Sequence, residues 1–251
     1  MRRRNYVIEQ TMEQLRELKL YGVIAALEQQ INTIESHQLS FEERFSLLID
    51  REIMDRGNRR ITDLLRRARL RHLACVEDID YHHPRGLEKS KMAVLISCDF
   101  IRHHQNLLIT GPTGCGKSWL ACAIGQQACR QRLSVRYIRM AKLLEELRIS
   151  HADGTYIKLL NHFAKFELLI LDDFGLDPLG RQDQLDLLEL IEDRYQLKAT
   201  LITSQLAMKH WHDYIGEPTI ADAVMDRLIN QSHQLELKLT GDSMRKDKKI
   251  N

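Results

Sequence analysis

The sequence lacks several features that would assign it to well-defined classes of protein. No apolar run approaches the roughly 18 residues that a membrane-spanning helix needs. The basic start MRRRNYVIEQ is not followed by the apolar stretch of a secretory signal. The five cysteines form no CxxC pair, which argues against a zinc site or a disulfide framework. We therefore expect a soluble, cytoplasmic protein with reduced thiols and no membrane partner.

Net charge is also nearly absent, because 37 lysines and arginines are balanced by 35 acids. The distribution is uneven, however, since seven arginines and one acid lie between Arg56 and Arg71. Ile61, Leu64 and Ala68 give this stretch an apolar stripe, which predicts a basic amphipathic helix. Such a helix can bind DNA phosphates, or it can pack on a neighbouring domain with its basic face in solvent. The candidate DNA contacts are Arg56, Arg59, Arg60, Arg66, Arg67, Arg69 and Arg71.

Glycine and proline are scarce at the start of the chain. The first fifty residues contain Gly22 and no proline, and their apolar residues recur at helical spacing. Ser40 and Glu43 form a capping-box pattern at the start of a further helix. The segment VEDIDYHHPRG has the composition of a linker. These patterns predict a helical N-terminal domain over residues 1–75, a linker over 76–90 and a second domain over 91–251.

The second domain alternates strand-length apolar runs with helical segments. The runs are NLLIT (106–110), SVRYI (134–138), ELLIL (167–171) and TLIT (200–203), with LELKL (235–239) as a possible further strand. This alternation predicts an α/β fold, in which a parallel sheet has helices on both faces.

The stretch GPTGCGKS, directly after the first run, satisfies the phosphate-loop pattern GxxxxGK[ST]. Glycines let backbone N–H groups turn toward phosphate oxygens, and the following helix directs its positive end at the same anion. Lys117 is expected to reach the β- and γ-phosphates, and the Ser118 hydroxyl to bind Mg²⁺. The candidate cofactor-binding residues are Gly111, Pro112, Thr113, Gly114, Cys115, Gly116, Lys117, Ser118 and Trp119.

Two carboxylates follow the third run, in LLILDDFG. Ligands of open parallel sheets bind at the carboxyl ends of the strands, so both acids should lie near the phosphate loop. Asp172 is the expected Mg²⁺ partner through water, and Asp173 the expected general base for an attacking water. The guanine-reading motif NKxD is absent, which favours ATP over GTP as the cofactor, together with Mg²⁺. The next run ends in Thr203, Ser204 and Gln205, any of which could hold that water.

These motifs together resemble the IstB-like ATPases, helper proteins of a bacterial insertion-sequence class within the AAA+ group. The resemblance is carried by LLITGPTGCGKSWLA, LLILDDFGLDPL, TLITSQL, DAVMDRLINQS and LTGDSMRKDK, in this order, and by the opening LRELKLYGVIAALE. It implies a bacterial ATPase that oligomerises on double-stranded target DNA and acts with the transposase of the same element. It also implies that Ser204 is the sensor 1 residue and Arg227 the arginine finger.

The resemblance leaves an alternative open, because DnaC-type helicase loaders use similar ATPase residues. It also marks the segment between the second and third strands as a second DNA-contacting region, with Lys142, Arg148 and Lys158 as candidates.

The chain departs from the AAA+ pattern at two points. Only 24 residues follow Arg227, too few for a helical lid with its sensor 2 arginine, and Arg245 is a candidate substitute. The second acid is Asp173, where many AAA+ enzymes have glutamate. A lid arginine is therefore expected to be absent. The resemblance implies that the Arg227 guanidinium acts on the nucleotide of a neighbouring subunit, in a homo-oligomer with ATP sites at its interfaces.

Overall fold

The computed structural model describes residues 2–33, 36 and 38–238, with side chains from Tyr6 onward. The chain divides into two compact units, residues 1–63 and 64–251. None of the described helices is long and apolar enough to cross a membrane. Arg245 and the segment GDSMR lie outside the described residues.

The first unit consists of helices α1 (Arg2–Glu17), α2 (Tyr21–Asn32) and most of α3 (Phe41–Ala68). The predicted capping box is present, since Ser40 N donates to Glu43 Oε2 at 2.8 Å and Glu43 N donates to Ser40 Oγ at 3.2 Å. Buried Glu52 of α3 accepts from the backbone of Gly22 at 2.7 Å. A Cβ at Gly22 would lie 2.6 Å from Glu52 Cα, so glycine permits the close approach of the two helices.

Helix α3 ends before the predicted end of the basic stretch. It continues through Gly57 and stops at Ala68, which is fully buried. Arg69 has a positive φ of 51° and leads the chain out of the helix. Arg69 and Arg71 therefore lie outside the helix, and the prediction that they are helical is wrong. The tertiary burial of Ala68 overrides a run of good helix formers here.

The second unit is built on five parallel strands in the spatial order β2-β3-β4-β1-β5. The strands are β1 (Asn106–Thr110), β2 (Val135–Arg139), β3 (Leu168–Phe174), β4 (Ala199–Ser204) and β5 (Ser232–Glu236). The predicted parallel α/β fold is confirmed, and each predicted run overlaps a strand. A register shift interrupts the pairing of β3 with β4 between Leu171 and Phe174, at the two aspartates.

Helices cover both faces of the sheet. They are α4 (Lys89–Ile96), α5 (Asp99–Arg102), α6 (Lys117–Arg130), α7 (Met140–Asp153), α8 (Tyr156–Ala164), α9 (Arg181–Arg194), α10 (Trp211–Ile215) and α11 (Pro218–Ile229). Alternate residues of β1 face two separate cores, because Leu107 and Ile109 pack on the side of α6 while Leu108 packs on the side of α9 and α11. The helix after the phosphate loop and the helix that carries Arg227 are therefore on opposite faces.

The segment predicted as a linker, residues 76–90, packs against the core in the structure. Val76, Ile79 and Leu87 are buried in the core on the α6 side, and Val76–Asp78 form a short 3-10 turn. Arg85, within the same segment, is fully buried. The structure thus packs residues 76–90 into the larger unit and divides the chain at residues 63 and 64.

Candidate functional site

The phosphate loop connects β1 to α6 and ends at Gly116. Gly116 has a left-handed φ of 89°, and a Cβ there would lie 2.6 Å from Arg85 Nη1. Arg85 donates from Nη1 to the Cys115 carbonyl at 3.2 Å. Glycine is needed at position 116 for its backbone conformation and for this close approach. Arg85 supports the loop from outside, and sequence analysis missed it because it lies in the predicted linker.

Lys117 is folded into the loop that precedes it. Its Nζ donates to the carbonyl of Gly111 at 2.6 Å and to that of Pro112 at 2.9 Å. Burial lowers the pKa of Lys117, and the nearby Cys115, Asp173 and Asp172 oppose this shift. A cation is therefore enclosed by the loop at the start of α6, the end of the helix that favours an anion.

Asp172 is fully buried and forms the centre of a hydroxyl network. Its Oδ1 accepts from Ser118 Oγ at 2.7 Å and from Thr203 Oγ1 at 2.5 Å, and its Oδ2 accepts from Tyr137 OH at 2.5 Å. The network fixes the carboxylate beside the first turn of α6. Ser118 and Asp172, predicted as a pair from separate motifs, are in direct contact.

Asp173 differs from its neighbour in exposure and in backbone conformation. Its side chain is 26% exposed, whereas that of Asp172 is closed to solvent, so water can reach only the second acid. Its φ is 62°, in the left-handed region, and its backbone N–H donates to Thr203 Oγ1 at 3.2 Å. Burial, and then the charge of Asp172, raise the pKa of Asp173, while Arg71, Lys117 and Arg139 oppose the shift.

The polar residues at the end of β4, Thr203, Ser204 and Gln205, contact different partners. Ser204 Oγ donates to the Phe174 carbonyl at 2.6 Å and accepts from the Leu206 backbone at 3.0 Å. Thr203 is the residue of this strand that contacts Asp172. Gln205 instead meets the phosphate loop, since Thr113 Oγ1 donates to Gln205 Oε1 at 2.5 Å. The structure therefore brings Thr203 and Gln205, rather than the hydroxyl of Ser204, to the acids and the loop.

Arg227 lies at the opposite end of the sheet from the phosphate loop. The side chain of Asn106, the first residue of β1, donates to the carbonyls of Arg227 and Leu228 at 3.0 and 3.1 Å. The loop begins beyond the other end of β1, about 13 Å away at the rise of a strand. Arg227 ion-pairs with Glu192 and lies 5.8 Å from the ring centroid of Tyr195. It is thus held in place on its own chain but away from that chain's own loop.

The candidate DNA contacts in the first unit differ in their partners. Glu52 accepts from Arg56 at 2.7 Å and from Arg59 at 3.4 Å. Both guanidinium groups therefore balance a buried carboxylate. Arg60 is exposed, and no carboxylate among the described residues ion-pairs with it.

The candidate DNA contacts in the second unit also differ in their surroundings. Arg66, Arg67 and Arg69 are exposed. Arg71 lies at the two aspartates, 3.8 and 3.9 Å from their carboxylates. Tyr137 and Arg71 carry no local sequence signal, because they approach Asp172 from elements 35 and 101 residues away.

The second predicted DNA region is largely engaged with its own unit. Arg148 forms a two-pronged ion pair with buried Asp183, each N–O distance being 2.7 Å. Lys142 lies 4.0 Å from Glu146, and Lys158 is exposed. Trp119 is partly buried against the core on the α6 side. Arg148 consequently has a structural role in holding α7 to the start of α9.

The sheet order, the loop and the acid pair together define a P-loop nucleotide-binding protein. Residues 13–251 match the family model of the IstB-like ATP binding proteins. An insertion sequence ATP-binding protein of Sinorhizobium fredii is 45% identical over 95% of this chain and 97% of its own. The ATP-binding protein of insertion sequence IS1162 from Pseudomonas fluorescens is 48% identical over 79% of this chain and 86% of its own. The chain belongs to the IstB-like ATP-binding protein family.

A solved structure supports the fold independently. The crystal structure of the DnaC helicase loader matches with a TM-score of 0.52 and 20% identity, over 63% of this chain and 95% of that one. At this identity the match concerns the fold alone. It agrees with the predicted P-loop fold.

Proposed function

We propose that this chain is an ATP-hydrolysing helper protein of bacterial DNA transposition. It assembles on double-stranded DNA and recruits or stimulates the transposase of its element. The observation that carries the ATPase part is the contact of Ser118 with buried Asp172, because it joins the two halves of a nucleotide site. The insertion-sequence relatives favour transposition over helicase loading, since they match nearly the whole chain.

The oxygen atoms of Ser118 and Asp172 form a donor set that fits Mg²⁺, which prefers hard oxygen ligands. When bound with ATP, the metal would supply charge neutralisation on the phosphates. Lys117 then binds phosphate oxygens, having been held inside the loop by the carbonyls of Gly111 and Pro112.

Asp173 accepts the proton of the attacking water, because its carboxylate is partly exposed and lies beside the buried Asp172. Thr203 positions both acids by donating to Asp172 and accepting from the Asp173 backbone. Ser204 acts indirectly, by fixing the turn after β3 through its bond to Phe174. Arg227 completes the site of a neighbouring subunit with a guanidinium, which stabilises negative charge in the transition state.

For DNA, Arg60, Arg66, Arg67 and Arg69 are the better candidates, because these residues are exposed and buried Glu52 pairs with Arg56 and Arg59 instead. Such contacts release counterions, so affinity should fall steeply as salt is raised. Arg56 and Arg59 already compensate Glu52, and their removal would disturb the helical unit as well.

A binding series on long duplex DNA tests the proposal. ATP should promote binding of the wild-type protein, and Lys117→Ala should lose both ATP binding and this promotion. Lys91→Ala is the matched control, because Lys91 pairs with Glu88 on the surface outside the site. The Arg67→Ala/Arg69→Ala variant should retain ATP binding and lose DNA affinity. Duplex binding that ignores ATP, with capture of a replicative helicase by the full chain, would favour the loader instead.

A further inference from the structure

Two further side chains, Tyr137 and Arg71, approach the acid pair at oxygens other than the one that faces Ser118. Asp172 Oδ1 is occupied by Ser118 and Thr203, whereas its Oδ2 accepts from Tyr137. Arg71 Nη1 lies 3.8 Å from the same Oδ2 and 3.9 Å from Asp173 Oδ2. Arg71 also lies beside Tyr137, whose hydroxyl raises the pKa of Arg71. One guanidinium thus bridges both carboxylates and the tyrosine that fixes the first of them.

The backbone that carries Arg71 is anchored to the helix of the phosphate loop. Burial raises the pKa of the Cys122 thiol, in α6, while the nearby backbone of His72 and Arg71 opposes the shift. Ala68 and Ala74, on either side, are 0% and 1% exposed in the core on the same face. Although the Arg71 side chain is 47% exposed, its attachment point is therefore fixed relative to α6.

The guanidinium of Arg71 reduces the electrostatic repulsion between the carboxylates of Asp172 and Asp173. Two neighbouring carboxylates repel each other, and the repulsion is stronger where water is excluded, as at Asp172. A cation placed between them reduces the repulsion and restricts where the second carboxylate can rotate. Arg139 is also near Asp173 but forms no ion pair with it among the described contacts. Arg71 is the cation whose distances to the two acids are nearly equal.

We propose that Arg71 is a positioning residue for ATP hydrolysis. Its guanidinium holds Asp173 by Oδ2, offsets the charge of Asp172, and leaves Asp173 Oδ1 for the attacking water. Arg71 acts through Asp173 and does not itself bind the nucleotide. The inference rests on the proposed role of Asp173 as the base, and it moves Arg71 from the DNA-binding candidates to the ATPase site.

Turnover and nucleotide binding should separate in Arg71→Ala. We expect kcat to fall by at least about tenfold, because a small displacement of the Asp173 carboxylate from the attacking water slows the reaction strongly. KM and the affinity for a fluorescent ATP analogue should stay within about twofold, since the lost contact is not to the nucleotide. Arg71→Lys should recover part of kcat, because it keeps the charge but not the planar fork. Arg130→Ala, which removes an equally exposed arginine paired with Glu77, should change neither quantity.

A double-variant cycle distinguishes positioning from a general structural role. Arg71→Ala should add little to the loss of turnover in Asp173→Asn, because both act through one carboxylate. In the nucleotide-free protein, Arg71→Ala should lower Tm by about 2 °C, and by less in the Asp173→Asn background, where one charge is gone. Equal effects in both backgrounds, or a parallel loss of nucleotide affinity, would overturn the inference.

Asp173→Asn alone separates this inference from the proposed function. If that variant hydrolyses ATP normally, Asp173 is not the base, and both proposals are wrong. If it is slow while Arg71→Ala retains full turnover, only the role of Arg71 is wrong.

Discussion

Four cysteines, Cys98, Cys115, Cys122 and Cys129, are enclosed in the core on the α6 side, and burial changes the chemistry of three of them. It raises the pKa of Cys98 and of Cys122 to about 11 and that of Cys129 to about 12. All three are fully buried, whereas Cys75 is half-buried and its sulfur accepts from Gln126 at 3.3 Å. The thiolate is the reactive form, so these thiols become reactive only as pH approaches their raised pKa values.

Alkylation of the native protein at pH 8 should therefore label Cys75 first. At three pH units below a pKa of 11, about one thiol in a thousand is ionised. Peptide mass spectrometry after brief iodoacetamide treatment measures the pattern, and Cys75→Ser should remove the early label. The same treatment in denaturant should label all five cysteines. Early labelling of Cys129 in the native protein would contradict the packing described here.

The position of a residue in the structure is most readable from sequence where one local motif defines it. The phosphate loop and the acid pair are contiguous, and the structure places Lys117 in the loop and Ser118 against Asp172. The contact of Arg71 with Asp172 has no such signal, because it depends on how a chain segment packs 101 residues away. Which of Thr203 and Ser204 contacts Asp172 is likewise not readable from the local sequence, since adjacent strand residues point to opposite faces and both carry hydroxyls.

At the scale of elements, Arg194 joins the end of α8 to the start of β4. Its Nη1 donates to the carbonyls of Phe163, Ala164 and Phe166 at 2.9, 3.1 and 3.0 Å. Its Nε donates to Thr200 Oγ1 at 3.1 Å, and the side chain is closed to solvent. These bonds satisfy carbonyls at a helix end, where the backbone has no partner within the helix.

Arg194→Lys should destabilise the protein strongly. One ammonium cannot replace a five-donor guanidinium, so several buried carbonyls lose their partners, at about 1–3 kcal/mol each. We expect the free energy of unfolding to fall by about 3 kcal/mol and Tm by about 10 °C. Arg181→Lys, at a side chain 64% exposed, is the control and should melt like the wild type. Equal melting of both variants by calorimetry would show that the buried bonds contribute little.

Elements were predictable where the pattern of their apolar residues reflects their burial. The strands were found because their residues are apolar on both faces, and β1 matches its predicted bounds. Element boundaries that depend on tertiary packing were not, as in α3, which ends at the buried Ala68 rather than at Arg71. The segment at 76–90 contains Pro84 and Gly86, as a linker would, yet its apolar residues are packed.

At the scale of the whole molecule, the loop and Arg227 lie at opposite ends of the same strand. If Arg227 completes a neighbour's site, two differently disabled chains can restore each other. Asp173→Asn removes the base and keeps the loop, whereas Arg227→Ala keeps the base and lacks the finger. A subunit that lacks the finger, placed beside one that supplies it, forms an intact site.

Mixing the two variants should therefore recover ATPase activity. With random co-assembly at equal amounts, about one interface in four is complete, so activity should approach a quarter of the wild-type value. Steady-state ATPase assays across mixing ratios measure this, with pull-down of differently tagged chains to show co-assembly. Each variant mixed with itself is the control. No recovery in proven mixed assemblies would rule out that Arg227 acts on the nucleotide of a neighbouring subunit.

If Arg227 acts on a neighbouring subunit, its position determines how many complete ATP sites an assembly of a given number of subunits contains. A molecule that donates at one end and accepts at the other stacks head to tail, so the stack has a direction and two unlike extremities. An unclosed stack of n copies contains n − 1 working sites, whereas a closed circle contains n. ATPase activity per subunit should accordingly rise with the length of an open filament. In a closed ring it should have its maximum value, because every subunit has a complete site.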